Sequence, residues 1–248
     1  MTTAVNYGEE ETYMFLNSLF KVGYKDQIVI LTDNIKRKLP FMDKLLIVTI
    51  PLSGPAHLPL NTRRFVCFKE YLALNGIPEQ LIVTDIRDVI FQTNPSIGLS
   101  RFGVHSYCEY EGMTIGKCPY NGKWIRDAYG KDILLQLSDN NIICAGVING
   151  NGHLMYDYIK RMVDELFRLP PTLGFDQGVH NYLTYTIPDL TIVHANEYGP
   201  VYTVGYMPRE ILHLTEDGKL LNRMGEPCVV HQYDRHKNLA AAFKGIYR

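Results

Sequence analysis

Hydrophobic and polar positions follow two rhythms along the chain: apolar runs of strand length, and longer stretches in which apolar residues recur every three or four positions. Thr2 to Tyr7 reads as a short strand, and Tyr13, Leu16 and Phe20 follow at helical spacing up to a stop near Gly23. Gln27 to Thr32 is a second apolar run and Leu45 to Ile50 a third, the latter entering a loop rich in Pro and Gly. Asn61 is the expected N-cap of the next helix, whose Phe65, Phe68 and Leu72 share one face and which stops at Gly76. Leu81 to Thr84 then reads as a strand.

The rhythm loosens from Phe102 to Gly130, a Tyr- and Gly-rich stretch expected to hold loops and short elements of the kind that shape a pocket. It returns with a strand from Asn141 to Ile148 and a helix carrying Met155, Tyr158, Met162 and Leu166, closed by Pro170 and Pro171. A short helix is expected to begin near Asp176, short strands to cover Leu190 to His194, Val201 to Val204 and Cys228 to Val230, and a basic helix to start at about Arg235. Alternating strands and helices imply an α/β fold, with a mostly parallel central sheet and helices on both faces. Sheets of that kind bind ligands outside the carboxyl ends of their strands, which directs attention to the residues just past Thr84.

Composition narrows the picture. With 248 residues, 46% of them hydrophobic, the chain is expected to form one compact domain. No apolar stretch approaches membrane-span length and the first residues lack a signal peptide's pattern, so a soluble protein is expected. A formal net charge of −1 with scattered basic residues gives no electrostatic footprint for nucleic acid or an acidic membrane. The five cysteines are odd in number and contain no C-x-x-C pair, which points to a reducing, cytoplasmic setting rather than a disulfide framework or zinc site.

The strongest chemical signal is Leu81-Ile82-Val83-Thr84-Asp85-Ile86-Arg87-Asp88, an apolar strand that delivers Asp85, Asp88 and Arg87 to the ligand-binding edge. Two carboxylates suit Mg²⁺ or Mn²⁺, which complete their coordination with diphosphate oxygens and water. The second signal is Cys228-Val229-Val230-His231-Gln232-Tyr233-Asp234-Arg235, where a short strand is followed by an imidazole. His231 added to two carboxylates shifts preference toward Mn²⁺, and Arg235 and Lys237 are candidates to face phosphate oxygens. Each signal also has a structural reading, as a solvated strand end or a buried core histidine.

Asp85 to Pro95 resembles the D-x-D stretch of GT-A glycosyltransferases, which runs from a strand through apolar residues to Asn-Pro. Ala145-Gly146-Val147-Ile148 resembles that family's N-A-G-V strand, Asp176-Gln177 its D-Q helix start, and His231 its late metal-binding histidine, in the order found in glycogenin-like retaining transferases. The resemblance implies a single GT-A domain over residues 1–248, with residues 1–95 as a nucleotide-binding half and residues 96–248 as a donor-sugar and acceptor half. It further implies a nucleotide diphosphate sugar donor, most commonly a UDP-sugar, and a glycan or other hydroxyl acceptor. Asp85, Asp88 and His231 would hold the metal, with Asp85 alternatively reaching the ribose; Asn6, Tyr7 and Asp33 would hold the nucleoside, and Gly146 would lie along the donor. Arg64, Arg87, Arg235 and Lys237 are the candidate phosphate partners. Asp176 is the candidate near the anomeric carbon, as acceptor contact or stabiliser under retention or as general base under inversion; its alternative role is a helix cap. Two departures stand out. The carboxylates are spaced D-x-x-D, so Asp85 needs a local bulge to match, and Cys144 stands where the family often has a sugar-contacting asparagine.

Three other functions compete. A sugar nucleotidyltransferase needs a glycine-rich loop after the first strand, where Val5-Asn6-Tyr7-Gly8 supplies one glycine. A metal-dependent phosphohydrolase leaves the Gly146 and Asp176 segments unexplained. A nucleotide- or glycan-binding module without turnover fits the loss of asparagine at Cys144.

Overall fold

The computed structural model of the chain describes residues 1–34, 39–41, 46–54, 58–170 and 175–248. Its first half runs β1 (Thr2–Ala4), α1 (Glu9–Lys21), β2 (Ile28–Thr32), β3 (Ile47–Pro51), α2 (Leu60–Asn75), β4 (Gln80–Thr84), β5 (Val89–Phe91), the single turn α3 (Pro95–Gly98) and β6 (Val104–Cys108). There follow α4 (Pro119–Leu137), β7 (Ile143–Asn151), α5 (Gly152–Arg168), α6 (Phe175–Thr186), β8 (Ile192–His194), β9 (Val201–Thr203), β10 (His213–Leu214), β11 (Leu220–Leu221), β12 (Val229–His231) and α7 (Lys237–Tyr247).

The protein is α/β. β1, β2 and β3 form a parallel set, and β4, β7, β6 and β8 form a mixed set in which β7 alone runs against its neighbours. The sets join through Met1: its N donates to Ile82 O at 2.5 Å and its O accepts from Thr84 N at 3.0 Å, the bonds of a parallel bridge. The sheet is thereby continuous in the order β3-β2-β1-β4-β7-β6-β8. Strand order reverses between β1 and β4, so the carboxyl ends of these two strands flank the crevice in which open α/β sheets bind ligands.

Both faces are covered, which is why the strands read as near-continuous apolar runs. Leu31, Leu81 and Val83 pack against Phe65, Phe68 and Leu72 of α2, Met155, Tyr158 and Met162 of α5, and Val179 of α6. Ala4, Ile28 and Ile30 face the other way, onto Phe15, Leu16 and Leu19 of α1. Burying each large apolar side chain contributes roughly 1.5–3 kcal/mol. A second sheet, β5-β12-β9, lies beside the first and is covered by Leu239 and Phe243 of α7. Ser18 ties it to α1, its Oγ accepting from Phe91 N at 3.0 Å.

Several elements differ from the sequence-based expectation. β1 ends at Ala4 rather than Tyr7, because Asn6 turns into the left-handed region at φ 59°. Leu45 lies outside the described residues, as does Pro171, and the third strand covers Ile47–Pro51. Asn61 is not a cap: Pro59 precedes the first turn of α2, and the Asn61 amide donates to Asp176 Oδ1 at 2.8 Å. The stretch from Phe102 to Gly130 is not mainly loop, since it contains β6, buried throughout, and the first part of α4. His105 and Ser106 disguise β6; His105 Nδ1 is satisfied by His194 Nε2 at 2.7 Å. α4 breaks at Gly130, where φ is 87°. The last helix starts at Lys237, after a 3₁₀ turn over Tyr233–Arg235. Among the described residues no helix is long and apolar enough to cross a membrane.

Asn181 secures the start of β7. β4 ends opposite Val147, so on that side the first residues of β7 have no strand neighbour. Asn181 of α6 fills the gap, accepting from Ile143 N and donating to Ile143 O, both at 2.8 Å. Asn181→Leu keeps the volume and strips both partners from a buried peptide group, a cost of about 2–4 kcal/mol. The melting temperature is expected to fall by roughly 5–10 °C in calorimetry; a fall of under a degree would show that β7 does not depend on this clamp.

Candidate metal centre

Three acidic or imidazole side chains from distant parts of the chain meet at the carboxyl edge of β4. Past Thr84 the backbone leaves the sheet after one further bond, Asp85 N to Gly146 O at 2.8 Å, bends over Ile86–Asp88 and re-enters as β5. Within that bend Ile86 turns into the core and Arg87 outward, which leaves Asp85 and Asp88 to converge. β12 pairs antiparallel with β5, with His231 opposite Val89, and Gln232 N donates to Asp88 O at 2.8 Å from a left-handed conformation at φ 60°. The pairing register is therefore what carries a histidine from near the end of the chain to the residue beside Asp88.

His231 Nε2 lies 3.6 Å from Asp85 Oδ2 and 3.7 Å from Asp88 Oδ1. These separations are too long for hydrogen bonds. They suit ligands around one ion, because atoms about 2.1 Å from a common centre stand about 3–4.3 Å apart. The ring is 1% exposed and its Nε2 has no hydrogen-bond partner, an expensive state for a buried nitrogen. Gly146 keeps the space between them open: a Cβ there would sit 2.6 Å from His231 Nε2 and 2.8 Å from Asp85 Oδ2. Asp85, Asp88 and His231 thus fit a divalent cation on three independent counts: donor type, spacing and a preserved gap.

Charge points the same way. Asp88, Asp176 and Glu109 are buried, and Asp85 is partly so, while Arg64 is the sole buried arginine or lysine among the described residues. Arg64 Nη1 donates to Asp85 Oδ1 at 2.5 Å, and Nη2 to Asp176 Oδ2 at 2.8 Å and Ala145 O at 3.2 Å. Against the upward push of burial, Arg64 and then His231 hold Asp85 well below the usual carboxylate range. Burial pushes Asp88 and Asp176 up, with His231 opposing it at Asp88 and Arg64 at Asp176. Burial also disfavours a charged His231 ring, yet Cys144, Asp88 and Asp85 together raise it well above the usual imidazole range.

The remaining candidates divide. Asn6, Tyr7 and Asp33 gather at the ends of β1 and β2, where Asn6 N donates to Asp33 Oδ1 at 3.3 Å and Tyr7 comes close enough to influence Arg87. Arg87 is half-exposed and pairs with Asp234 at 3.0 Å, with Asp88 at 3.8 Å. Arg235 lies over the Tyr206 ring and Lys237 is exposed at the start of α7. Arg64 faces carboxylates and a carbonyl rather than open space. Asp176 sits inside the first turn of α6 with both oxygens engaged, by Asn61 and by Arg64.

Sequence reading missed Glu109. It follows β6 directly, is 2% exposed, and accepts from Gln177 Nε2 at 3.1 Å through Oε1 while Oε2 has no hydrogen-bond partner. Gln177 Nε2 also reaches Asn121 Oδ1 at 3.1 Å. A carboxylate just past an apolar strand was the available signal, but it depended on recognising β6. A cavity of about 640 Å³ lies elsewhere, between α1, the end of α2 and the amino ends of β2 and β4. It holds none of these convergent groups.

Compared with known proteins, the chain matches no protein-family model and no curated protein. The geometry itself is testable through Gly146, whose replacement by alanine drives a methyl group into the gap between His231 and Asp85. Gly146→Ala should cost about 1–3 kcal/mol of stability through overpacking and lower Mn²⁺ affinity at least tenfold in calorimetric titration. Unchanged Mn²⁺ affinity would mean that this gap holds no ion.

Proposed function

We propose that this chain is a metal-dependent glycosyltransferase of the GT-A type, transferring a sugar from a nucleotide diphosphate donor, in the first place a UDP-sugar, to a hydroxyl of a glycan or other acceptor. The observation that carries the reading is the meeting of Asp85, Asp88 and His231 at the strand-order reversal. The order of the Asp85–Pro95, Gly146 and Asp176–Gln177 segments supports it. Mn²⁺ or Mg²⁺ held by the triad would supply positive charge to the nucleoside diphosphate as it leaves the sugar.

The chain's own residues account for the rest. Asn6, Tyr7 and Asp33, beyond the ends of β1 and β2, are the residues assigned to the nucleoside. Arg64 fixes the orientation of Asp85 and Asp176 together. Asp176 offers negative charge on the donor-sugar side, where positive charge develops as a glycosidic bond breaks. The distance between these roles along the chain makes them separable by mutation.

Metal dependence is the first test. A diphosphate and this carboxylate cluster repel unless a cation lies between them. UDP should bind at least about 10²-fold more tightly with Mn²⁺ than in excess EDTA, as calorimetry would measure; equal affinities would sink the proposal. A clear preference for GDP would overturn the uridine assignment alone.

The second test is Asp176→Asn. Asparagine preserves shape and removes the charge, so transfer and donor hydrolysis should fall at least about 10²-fold with UDP affinity held within about threefold. Full turnover in the variant would remove Asp176 from the chemistry, and metal-dependent UDP binding without any turnover in the wild type would identify a binding module instead.

A further inference from the structure

His231 has a neighbour on its other nitrogen. Cys144 Sγ stands 3.5 Å from Nδ1, on the side of the ring away from Asp85 and Asp88, at the start of β7. The thiol is therefore outside the candidate ligand set and against the back of one ligand. No hydrogen bond joins Nε2 to the protein. The sulfur is the partner of Nδ1, and a ring carrying its proton on Nδ1 donates to it and presents a lone pair at Nε2.

The register of β7 explains how the thiol comes to this place. Ser106 of β6 faces Ile148, but Tyr107 faces Cys144, so Ala145, Gly146 and Val147 bulge out of the β6 pairing. The bulge carries Gly146 to the gap in front of His231 and leaves Cys144 behind the ring. Burial pushes the carboxyl of Glu109, directly past β6, upward, opposed by the Gln177 amide, the His231 ring, Arg235 and the Cys144 thiol.

We propose that Cys144 is a positioning residue that holds His231 in the Nδ1–H tautomer and so aims the Nε2 lone pair at the ion held by Asp85 and Asp88. The proposal rests on the metal reading of the triad. Histidine ligands commonly donate their second N–H to a carboxylate or carbonyl; here a thiol takes that position. A sulfur acceptor is weaker than an oxygen, so the arrangement tolerates replacement by a better acceptor and fails with none.

The test uses Mn²⁺ alone as the probe, on the intact chain, with affinity referred to the folded fraction measured by circular dichroism. Cys144→Ala should weaken Mn²⁺ binding about 10-fold or more, and Cys144→Asn, which restores an oxygen acceptor, should return it to within about threefold of wild type. Nitrogen-15 spectra of the Mg²⁺-loaded wild type should show His231 protonated at Nδ1. Equal Mn²⁺ affinity in wild type and Cys144→Ala, or a proton on Nε2 in the loaded wild type, would overturn the proposal while leaving the triad intact. A wild-type chain that binds no Mn²⁺ would instead overturn the triad and this inference together.

Discussion

A guanidinium buried among carboxylates depends on partners for its N–H groups, and the two terminal nitrogens of Arg64 find theirs in three different parts of the fold, while the buried Nε has none among the described residues. Asp85 comes from the end of β4, Asp176 from the first turn of α6, and the Ala145 carbonyl from β7. Removing any one of them would leave part of a buried cation unsatisfied, at a cost comparable with a large share of the protein's net stability. α2, which carries Arg64, is thereby locked to the sheet edge at the point where strand order reverses. This explains why an arginine expected to meet phosphate spends its fork on protein groups. It orients Asp85 and Asp176, while Arg87, Arg235 and Lys237 are exposed.

The second constraint is the pairing of β12 with β5. A shift of one residue would turn His231 to the opposite face of its sheet and bring Val230 or Gln232 beside Asp88. Core packing resists the slip: Val230 is buried with Tyr202, Phe243 and Leu239, and Val229 with Val201 and Phe91. Hydrophobic burial on both faces of a three-residue strand therefore sets the position of a polar ring to within hydrogen-bonding dimensions. The Gln232 turn at φ 60°, bonded to Asp88 O, fixes it from the other end.

Much of the central sheet was legible because its strands are buried on both faces and read as plain apolar runs. Asp85, Asp88 and His231 were legible as a group because each follows such a run. β6 was not, since His105 and Ser106 break its apolar character and their partners lie far along the chain. With β6 lost, Glu109 could not be recognised as a strand-end carboxylate. The role of Arg64 was hidden for a similar reason: a lone arginine one turn into a helix says nothing of two aspartates 21 and 112 positions away. β5 is three residues long and pairs with a strand near the other end of the chain, so local pattern alone did not reveal it.

The balance of charge connects these features. Two carboxylates 4 Å apart repel by about 4 kcal/mol at an effective dielectric constant of 20. Asp85 is relieved of that repulsion by Arg64, whereas Asp88, whose carboxyl burial pushes up, has the His231 ring at 3.7 Å and the edge of Arg87 at 3.8 Å. Burial disfavours a charge on the imidazole between them, and the neighbouring Cys144, Asp88 and Asp85 push its pKa the other way, upward. A proton on His231 and a divalent cation in front of it answer one electrostatic demand, and they exclude each other because both need Nε2. On the metal reading the site would accept positive charge from either of two occupants, of which the divalent cation offers twice the charge. On that view Gly146 and Cys144 are not incidental neighbours: the first keeps room for the larger occupant, and the second gives the imidazole proton a place to stay when that occupant arrives.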